Sequence, residues 1–180
     1  MNTEEDGAID PLNASIAEIK SGEASEQYLT FFMGKEEFGV DILSVQEIRG
    51  WEPVTPIPNS PEHVLGVMNL RGTVAPIIDL RMSFGIEERR YTEKTVVIVL
   101  TIPTEKKSKI IGVVVDAVSD VCSFTKSEIQ PSPELTQTDQ AQYVKGLGST
   151  EDKMVILLQL TECLMAAPKG RDKQRQLKAG

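Results

Sequence analysis

The stretch VLGVMNLRGTVAPIIDL, residues 64–80, predicts a β-hairpin. Its two apolar runs, 64–70 and 73–80, flank Arg71-Gly72, and a pair of this kind between apolar runs is a turn signal. Pro76 has no backbone donor, which indicates an edge strand or a bulge in the second arm. If Arg71 is partly buried it needs an acceptor, and Glu47 is the natural candidate. The alternative is an exposed arginine in the turn.

Short apolar runs of the same kind continue on both sides of the hairpin. Aromatic residues make up only 5% of the chain, and Val, Ile and Leu dominate the rest of the apolar residues, which favours strands. The predicted strands are 28–33, 38–40, 45–48, 64–70, 73–80, 95–101, 110–115, 118–124, 143–147 and 154–160. Short helices are predicted at 41–44, 80–85 and 160–166. The pattern indicates a mainly β fold of small barrels or a sandwich.

A weak internal echo predicts two similar β modules. The interval from Gly66 to Leu80 is 14 residues, and so is the interval from Gly146 to Leu160. Each interval reads as strand, turn and strand, followed by a short helix. We therefore predict subdomain one at about 27–85 and subdomain two at about 95–165, joined by a crossover. Modules of this size are marginal alone, so they should share an interface.

The two ends of the chain differ in charge from each other and from the centre. Residues 1–26 contain seven acids and one base, which predicts a flexible acidic tail with at most a helical turn near 15–19. Residues 166–180 predict a flexible basic tail. Removal of residues 1–24 should therefore leave a folded core.

Composition limits the classes of partner and the location. The net charge of −8 argues against binding to nucleic acid or to anionic lipid. Apolar runs of about seven residues are far shorter than the roughly 20 that a membrane helix needs. No signal peptide opens the chain, so we predict a cytoplasmic protein. The two cysteines, Cys122 and Cys163, lie in apolar runs and are predicted to be buried thiols.

The sequence offers little for catalysis, cofactors or metals. The one histidine, His63, follows a proline turn and is predicted to be a surface residue or a cap; it has no second histidine beside it to complete a metal site. Trp51 is either a lid over a barrel end or an exposed contact. Asp116 follows an aliphatic strand, as a phosphoacceptor aspartate does, but the acids and helices of a receiver domain are missing. Asp116 is instead predicted to accept backbone hydrogen bonds in a turn.

Taken together, the motifs of residues 27–165 resemble the CheW family. The segments that carry the resemblance are EFGVDI (37–42), VQEI (45–48), GVMNLRG (66–72), PIIDL (76–80), GVVVDAVSDV (112–121) and YVKGLG (143–148). The tails have no clear counterpart in the family, and the loop 102–108 looks slightly long for it.

The resemblance implies two five-stranded SH3-like β-barrels packed together. It also implies a non-enzymatic adaptor that couples methyl-accepting chemoreceptors to the histidine kinase CheA at receptor arrays, without cofactors. Receptor tips are helical hairpins, and an aliphatic groove with polar anchors suits a helix. Gly66 would allow close backbone approach. The implied contact residues are Val45, Glu47, Gly66, Arg71, Val96 and Val121. Kinase contacts would lie at barrel ends. The alternatives are an adaptor of a surface-motility array or, with Asp116, a phosphoacceptor regulator.

Overall fold

The computed structural model describes residues 12–14, 16, 26–87, 89–131, 142–150 and 152–166, and within these ranges the fold is mainly β, as predicted. The strands are β1 (Glu26–Met33), β2 (Glu36–Asp41), β3 (Val45–Gly50), β4 (Val64–Leu70), β5 (Thr73–Asp79), β6 (Val96–Ile102), β7 (Lys109–Val115), β8 (Ala117–Phe124), β9 (Ile129–Gln130), β10 (Val144–Ser149) and β11 (Met154–Leu158). One α-helical turn, α1 (Leu80–Ser83), and three 3₁₀ turns, Ile42–Ser44, Lys126–Glu128 and Glu162–Met165, lie between or after these strands.

These strands form two sheets. The five-stranded sheet has the order β3-β6-β7-β5-β4, and the six-stranded sheet has the order β8-β1-β2-β11-β10-β9. In the five-stranded sheet, the chain leaving β3 returns so that Thr55 and Val67 of β4 exchange backbone hydrogen bonds of 3.1 and 2.8 Å. In the other sheet, β9 follows β8 and pairs with β10. The two edges of each sheet are thus joined by one stretch of chain, as in a small barrel.

The division between the sheets corrects the predicted subdomains 27–85 and 95–165, because the two modules exchange hairpins. The β1–β2 hairpin of the first module pairs through β2 with β11 of the second, in parallel register with Gly39 opposite Leu157. The β6–β7 hairpin of the second module pairs with β3 and β5 of the first, with Ile77 opposite Gly112. An apolar pattern specifies which face of a strand is buried, but it does not specify the strand beside it.

The shared interface predicted for the two modules is confirmed by the largest apolar cluster. This cluster takes Leu29 and Phe31 from the six-stranded sheet and Ile98 and Leu100 from the five-stranded sheet, all buried. A second cluster lies within the five-stranded sheet and includes Val97. A third lies within the six-stranded sheet. Central strands such as β6 bury both faces, which explains their continuous aliphatic sequence.

A glycine is required at position 66, because the backbone of Thr55 passes too close for a side chain. The β4–β5 register shifts between Val64 and Gly66, and a Cβ at Gly66, where φ is +154°, would lie 2.1 Å from the carbonyl oxygen of Thr55. At the echoed position, Gly146, a Cβ would lie 2.7 Å from the carbonyl oxygen of Gln130. The 14-residue echo therefore reflects two hairpins in which a glycine lets another segment of backbone pass in close contact: Thr55 at Gly66, and Gln130 at Gly146.

We expect Gly66→Ala to lower the free energy of unfolding by about 2–3 kcal/mol, because the added methyl group forces backbone to move at Thr55. The matched control is Gly50→Ala, since nothing lies within 4 Å of a Cβ built at Gly50. Urea unfolding followed by circular dichroism measures both changes. Equal free energies of unfolding for the two variants would show that the backbone at Thr55 can move aside without loss of stability.

Part of the predicted acidic tail is docked on the fold, which corrects that prediction. Residues 12–14 and 16 are helical, and Ile16 is only 3% exposed within the largest cluster. The side-chain amide of Asn13 accepts from Ile48 N at 3.0 Å and donates to Ile48 O at 3.4 Å. It thereby satisfies two backbone groups of β3. The other tail residues up to 25 and the predicted basic tail from 167 onward lie outside the described residues.

Deletion of residues 1–24 is expected to retain a cooperative transition but to lower the free energy of unfolding by about 2–4 kcal/mol. The loss combines the burial of Ile16 with the hydrogen bonds of Asn13. Deletion of residues 1–10 retains both side chains and serves as the control. Thermal and urea unfolding measure the difference, and identical curves for the two deletions would contradict the docking of this segment.

Candidate partner-binding site

The tip of the β4–β5 hairpin presents Arg71 to solvent. Arg71 has a φ of +53° and Gly72 a φ of +88°, the two positive values that a type I′ turn requires. Asn69 Oδ1 accepts a hydrogen bond of 2.8 Å from Gly72 N and braces the turn. An arginine in left-handed backbone is uncommon and strained, and the side chain of Arg71 is 84% exposed. The backbone of Arg71 is thus strained, while its guanidinium group is exposed to solvent.

Pro76 in the second arm is not on an edge strand, because β5 lies between β4 and β7. The parallel pairing of β5 with β7 runs only from Ile77 to Asp79. Pro76 therefore stands just outside the stretch that pairs with β7, where a missing donor costs least.

The predicted pairing of Arg71 with Glu47 is confirmed. Arg71 Nη2 lies 3.6 Å from Glu47 Oε2, and Arg49 Nη1 lies 3.6 Å from Glu47 Oε1. Arg49 also approaches Glu52 at 3.7 Å. Because these pairs are long and partly exposed, each contributes about 0–1 kcal/mol to stability. They link two arginines and two glutamates on the surface where β3 faces the hairpin tip.

Two of the predicted contact residues do not lie on the surface. Val45 is fully buried in the largest cluster, two residues before Glu47 and at a register shift in the β3–β6 pairing. Gly66 is also buried, against Thr55. Neither Val45 nor Gly66 therefore offers a side chain to a partner.

The other two predicted aliphatic residues lie on different sheets. Val96 opens β6 opposite Gly50, and Val121 lies on β8 opposite Leu29. Both are half-buried and pack against the cluster that joins the sheets. They border the seam between the sheets, whereas Glu47 and Arg71 form a direct contact at the hairpin tip.

A buried ion cluster around Arg81 was not predicted. The side chain of Arg81 is fully buried, and its Nε and Nη2 donate to the two carboxylate oxygens of buried Asp79 at 3.0 and 2.9 Å. Its Nη1 donates to Asp116 Oδ1 and to the carbonyl of Arg90, both at 2.8 Å. Arg81 thus connects the end of β5 with the β7–β8 junction and with the loop before β6.

Two aromatic rings cover this cluster. Tyr91 donates from its hydroxyl to Asp79 Oδ2 at 3.0 Å, and its ring lies 4.9 Å from the Arg81 guanidinium carbon. Trp51 stacks on Tyr91 with ring centroids 4.6 Å apart, which favours the lid interpretation of Trp51. Burial alone lowers the pKa of Arg81, but hydrogen bonds and charges from Asp79 and Asp116 outweigh it and raise the pKa above its ordinary value. Burial, and then the charge of Asp79, raise the pKa of Tyr91.

Asp116 is engaged on both carboxylate oxygens. Oδ1 pairs with Arg81, and Oδ2 accepts from Gly34 N at 2.7 Å. Asp116 accepts a backbone hydrogen bond, as predicted, but the donor is Gly34 of the β1–β2 turn and not a residue of the turn before Ala117. These contacts do not favour the phosphoacceptor alternative, because phosphorylation of either oxygen would disturb the contact that this oxygen makes.

His63 and the cysteines correct two smaller predictions. His63 is buried rather than exposed, and its Nε2 donates to the carbonyl of Leu164 at 2.7 Å. Cys122 is half-buried, but Cys163 is exposed on a 3₁₀ turn. Across the described part of the chain, no group of three or more residues is arranged to hold a metal ion. The same part contains no helix long and apolar enough to span a membrane.

The structure is that of a β protein with two packed sheets, whose exposed arginine–glutamate pair and half-buried aliphatic residues are suited to contact with another protein. A family model for the CheW-like domain matches residues 27–167. The chain is 43% identical to the chemotaxis protein CheW of Klebsiella aerogenes over 84% of this chain and 89% of that one. It is 40% identical to the probable chemotaxis protein CheW of Rhizobium etli, over 79% and 90%.

A solved structure agrees with these matches. The scaffolding protein TtCheW of Thermoanaerobacter tengcongensis is 34% identical and superposes with a TM-score of 0.70, covering 78% of this chain and 92% of that one. The chain belongs to the CheW-like family, the family that its sequence motifs resemble.

Proposed function

We propose that this chain is a non-enzymatic chemotaxis adaptor that couples methyl-accepting chemoreceptors to the histidine kinase CheA. The family match and the relatives named as chemotaxis proteins support this function. The single structural observation that carries it is the strained display of Arg71 beside Glu47. Strain retained at an exposed polar residue, where it adds little stability, points to a role in binding.

The receptor partner in this proposal is a helical hairpin at the cytoplasmic tip of a chemoreceptor. Arg71 and Glu47 supply polar contacts that fix its orientation, and the half-buried Val96 and Val121 supply apolar contacts. Val45 and Gly66 act indirectly, because Val45 supports β3 from the core and Gly66 lets the Thr55 strand pass. A few polar contacts around an aliphatic seam are suited to gripping a helix.

The kinase partner is the regulatory domain of CheA, which the family resemblance makes homologous to this chain. It would contact the ends of the sheets, and the adaptor would work in the cytoplasm at receptor arrays. This role requires surfaces for two partners and no chemical step by the adaptor itself.

A pull-down of the full chain with a receptor cytoplasmic fragment and the kinase regulatory domain, separately and together, tests the proposal. We expect each partner to bind alone and both to be retained together. Capture of neither partner, or mutual exclusion of the two, would refute a coupling role. Incubation with phosphorylated kinase supplies a second arm, because stable label on this chain would instead support the phosphoacceptor alternative.

A further inference from the structure

A basic pocket lies at the seam between the sheets. Asp116, which pairs with Arg81, is one of the residues that line it. It has a volume of about 380 Å³ and is lined by Gly34, Lys35, Arg90, Thr92, Lys94, Thr95, Asp116 and Ala117. Three of these residues are cations and one is a carboxylate, within a chain whose net charge is −8. Glu36 and Glu93, the acidic neighbours of the two lysines along the chain, are not among the lining residues.

The walls of this pocket are held in place by buried contacts. Arg81 Nη1 and Thr95 Oγ1 both donate to the carbonyl of Arg90, which fixes the loop before β6. Asp116 accepts from Gly34 N, which fixes the β1–β2 turn that carries Lys35. The buried ion cluster therefore sets the positions of two loops from which exposed cations project.

The two lysines that line the pocket, Lys35 and Lys94, are exposed. Within the described residues, neither Lys35 nor Lys94 has an ion pair, and Asp116 already pairs with Arg81. Val96, one of the aliphatic residues of the proposed receptor site, directly follows the lining residue Thr95. The pocket and that site are thus neighbours along the chain.

We propose that this pocket binds acidic side chains of the docked receptor fragment and so contributes to specificity; this inference rests on the proposed function. A phosphate cradle would need backbone N–H groups aimed at the ligand. Here the Gly34 N–H is used by Asp116, and the Thr95 hydroxyl is used by the loop. Lys35 and Lys94 offer long, exposed ammonium groups, which recognise carboxylates by charge rather than by fixed geometry.

The test uses Lys35→Glu/Lys94→Glu in the full chain, with Lys106→Glu/Lys107→Glu as the matched control. Both variants change the charge by the same amount, and all four lysines are exposed. We expect the pocket variant to bind the receptor fragment about fivefold to tenfold more weakly than the control at low salt. The difference should shrink at roughly 0.5 M NaCl, where screening shortens the range of charge interactions.

Equal binding by the two variants, or a loss that salt does not change, would overturn the pocket assignment. Inorganic phosphate at constant ionic strength is the second arm: competition at millimolar phosphate would indicate a phosphate site and would also overturn it. Arg71→Glu in the same assay separates the two proposals. If Arg71→Glu lost binding while the pocket variant did not, only the pocket proposal would fail. If the unmodified chain did not bind the fragment, the proposed function would fail and the pocket proposal with it.

Discussion

Replacing Arg81 with alanine is expected to lower the free energy of unfolding by about 3–5 kcal/mol, the usual cost of removing one partner from a buried ion pair. The substitution leaves the carboxylate of Asp79 fully buried with its cation gone, and it removes the guanidinium that Asp116 pairs with. The Arg90 carbonyl also loses a donor. Several desolvated acceptors are therefore left unsatisfied by one change.

Urea unfolding measures this loss, and Arg49→Ala is the matched control. Arg49 also pairs with two glutamates, but at 3.6 and 3.7 Å and with a side chain that is 33% exposed. Its removal should cost less than about 1 kcal/mol. If Arg81→Ala cost no more than Arg49→Ala, the buried cluster would not hold the loops together.

Asp79→Asn separates the charge of the cluster from its shape. The amide keeps the volume of the side chain but has one acceptor where the carboxylate has two, while Arg81 donates to both oxygens. A smaller loss than that of Arg81→Ala would show that Asp116 partly compensates the guanidinium charge.

Much of the secondary structure could be predicted because it depends on local patterns. The run 64–70 was predicted with the bounds that β4 has, and helical turns occur within the three predicted segments 41–44, 80–85 and 160–166. For a strand such as β4, an aliphatic run that ends at a turn residue specifies the element. The two-residue β9 was missed, because Ile129 and Gln130 are too few to form a recognisable pattern.

The exchange of hairpins could not be predicted, because it depends on which strands meet. A sequence repeat shows that two modules are alike. Two modules that exchange hairpins have the same sequence repeat as two modules that do not. The choice between them depends on parallel pairings such as Ile77 with Gly112, which join residues far apart in the chain.

The candidate site was predicted in part for a similar reason. The pairing of Glu47 with Arg71 was predicted from opposite charges in neighbouring hairpins, whereas their place among the contact residues came from the family resemblance. Val45 and Gly66 came from the family resemblance, which indicates that a residue type matters without indicating whether the side chain is exposed. Arg81 was missed because a charged residue after a strand is usually solvated, and only the tertiary fold brings Asp79 and Asp116 around it.

Arg71→Glu is expected to reduce receptor-dependent activation of the kinase at least about thirtyfold, the equivalent of about 2 kcal/mol at a binding hot spot. The change removes the displayed cation and places a second carboxylate beside Glu47, which Arg71 now meets at 3.6 Å. A reconstituted assay with receptor fragment, kinase and the full chain measures the effect. Activation that remained intact would refute the role assigned to Arg71.

Two further variants distinguish contact with the partner from support of the fold. Arg71→Gly keeps the type I′ turn, because glycine adopts the φ of +53° without strain, so stability should not fall while activation does. The exchange Glu47→Arg with Arg71→Glu restores an ion pair of reversed direction. We expect no recovery, because the Arg71 side chain is 84% exposed and can contact the partner while it pairs with Glu47. A glutamate at position 71 would present the wrong charge to that partner. Full recovery would instead mean that the ion pair matters only for shape, and the hairpin tip would then be a structural brace rather than a binding surface.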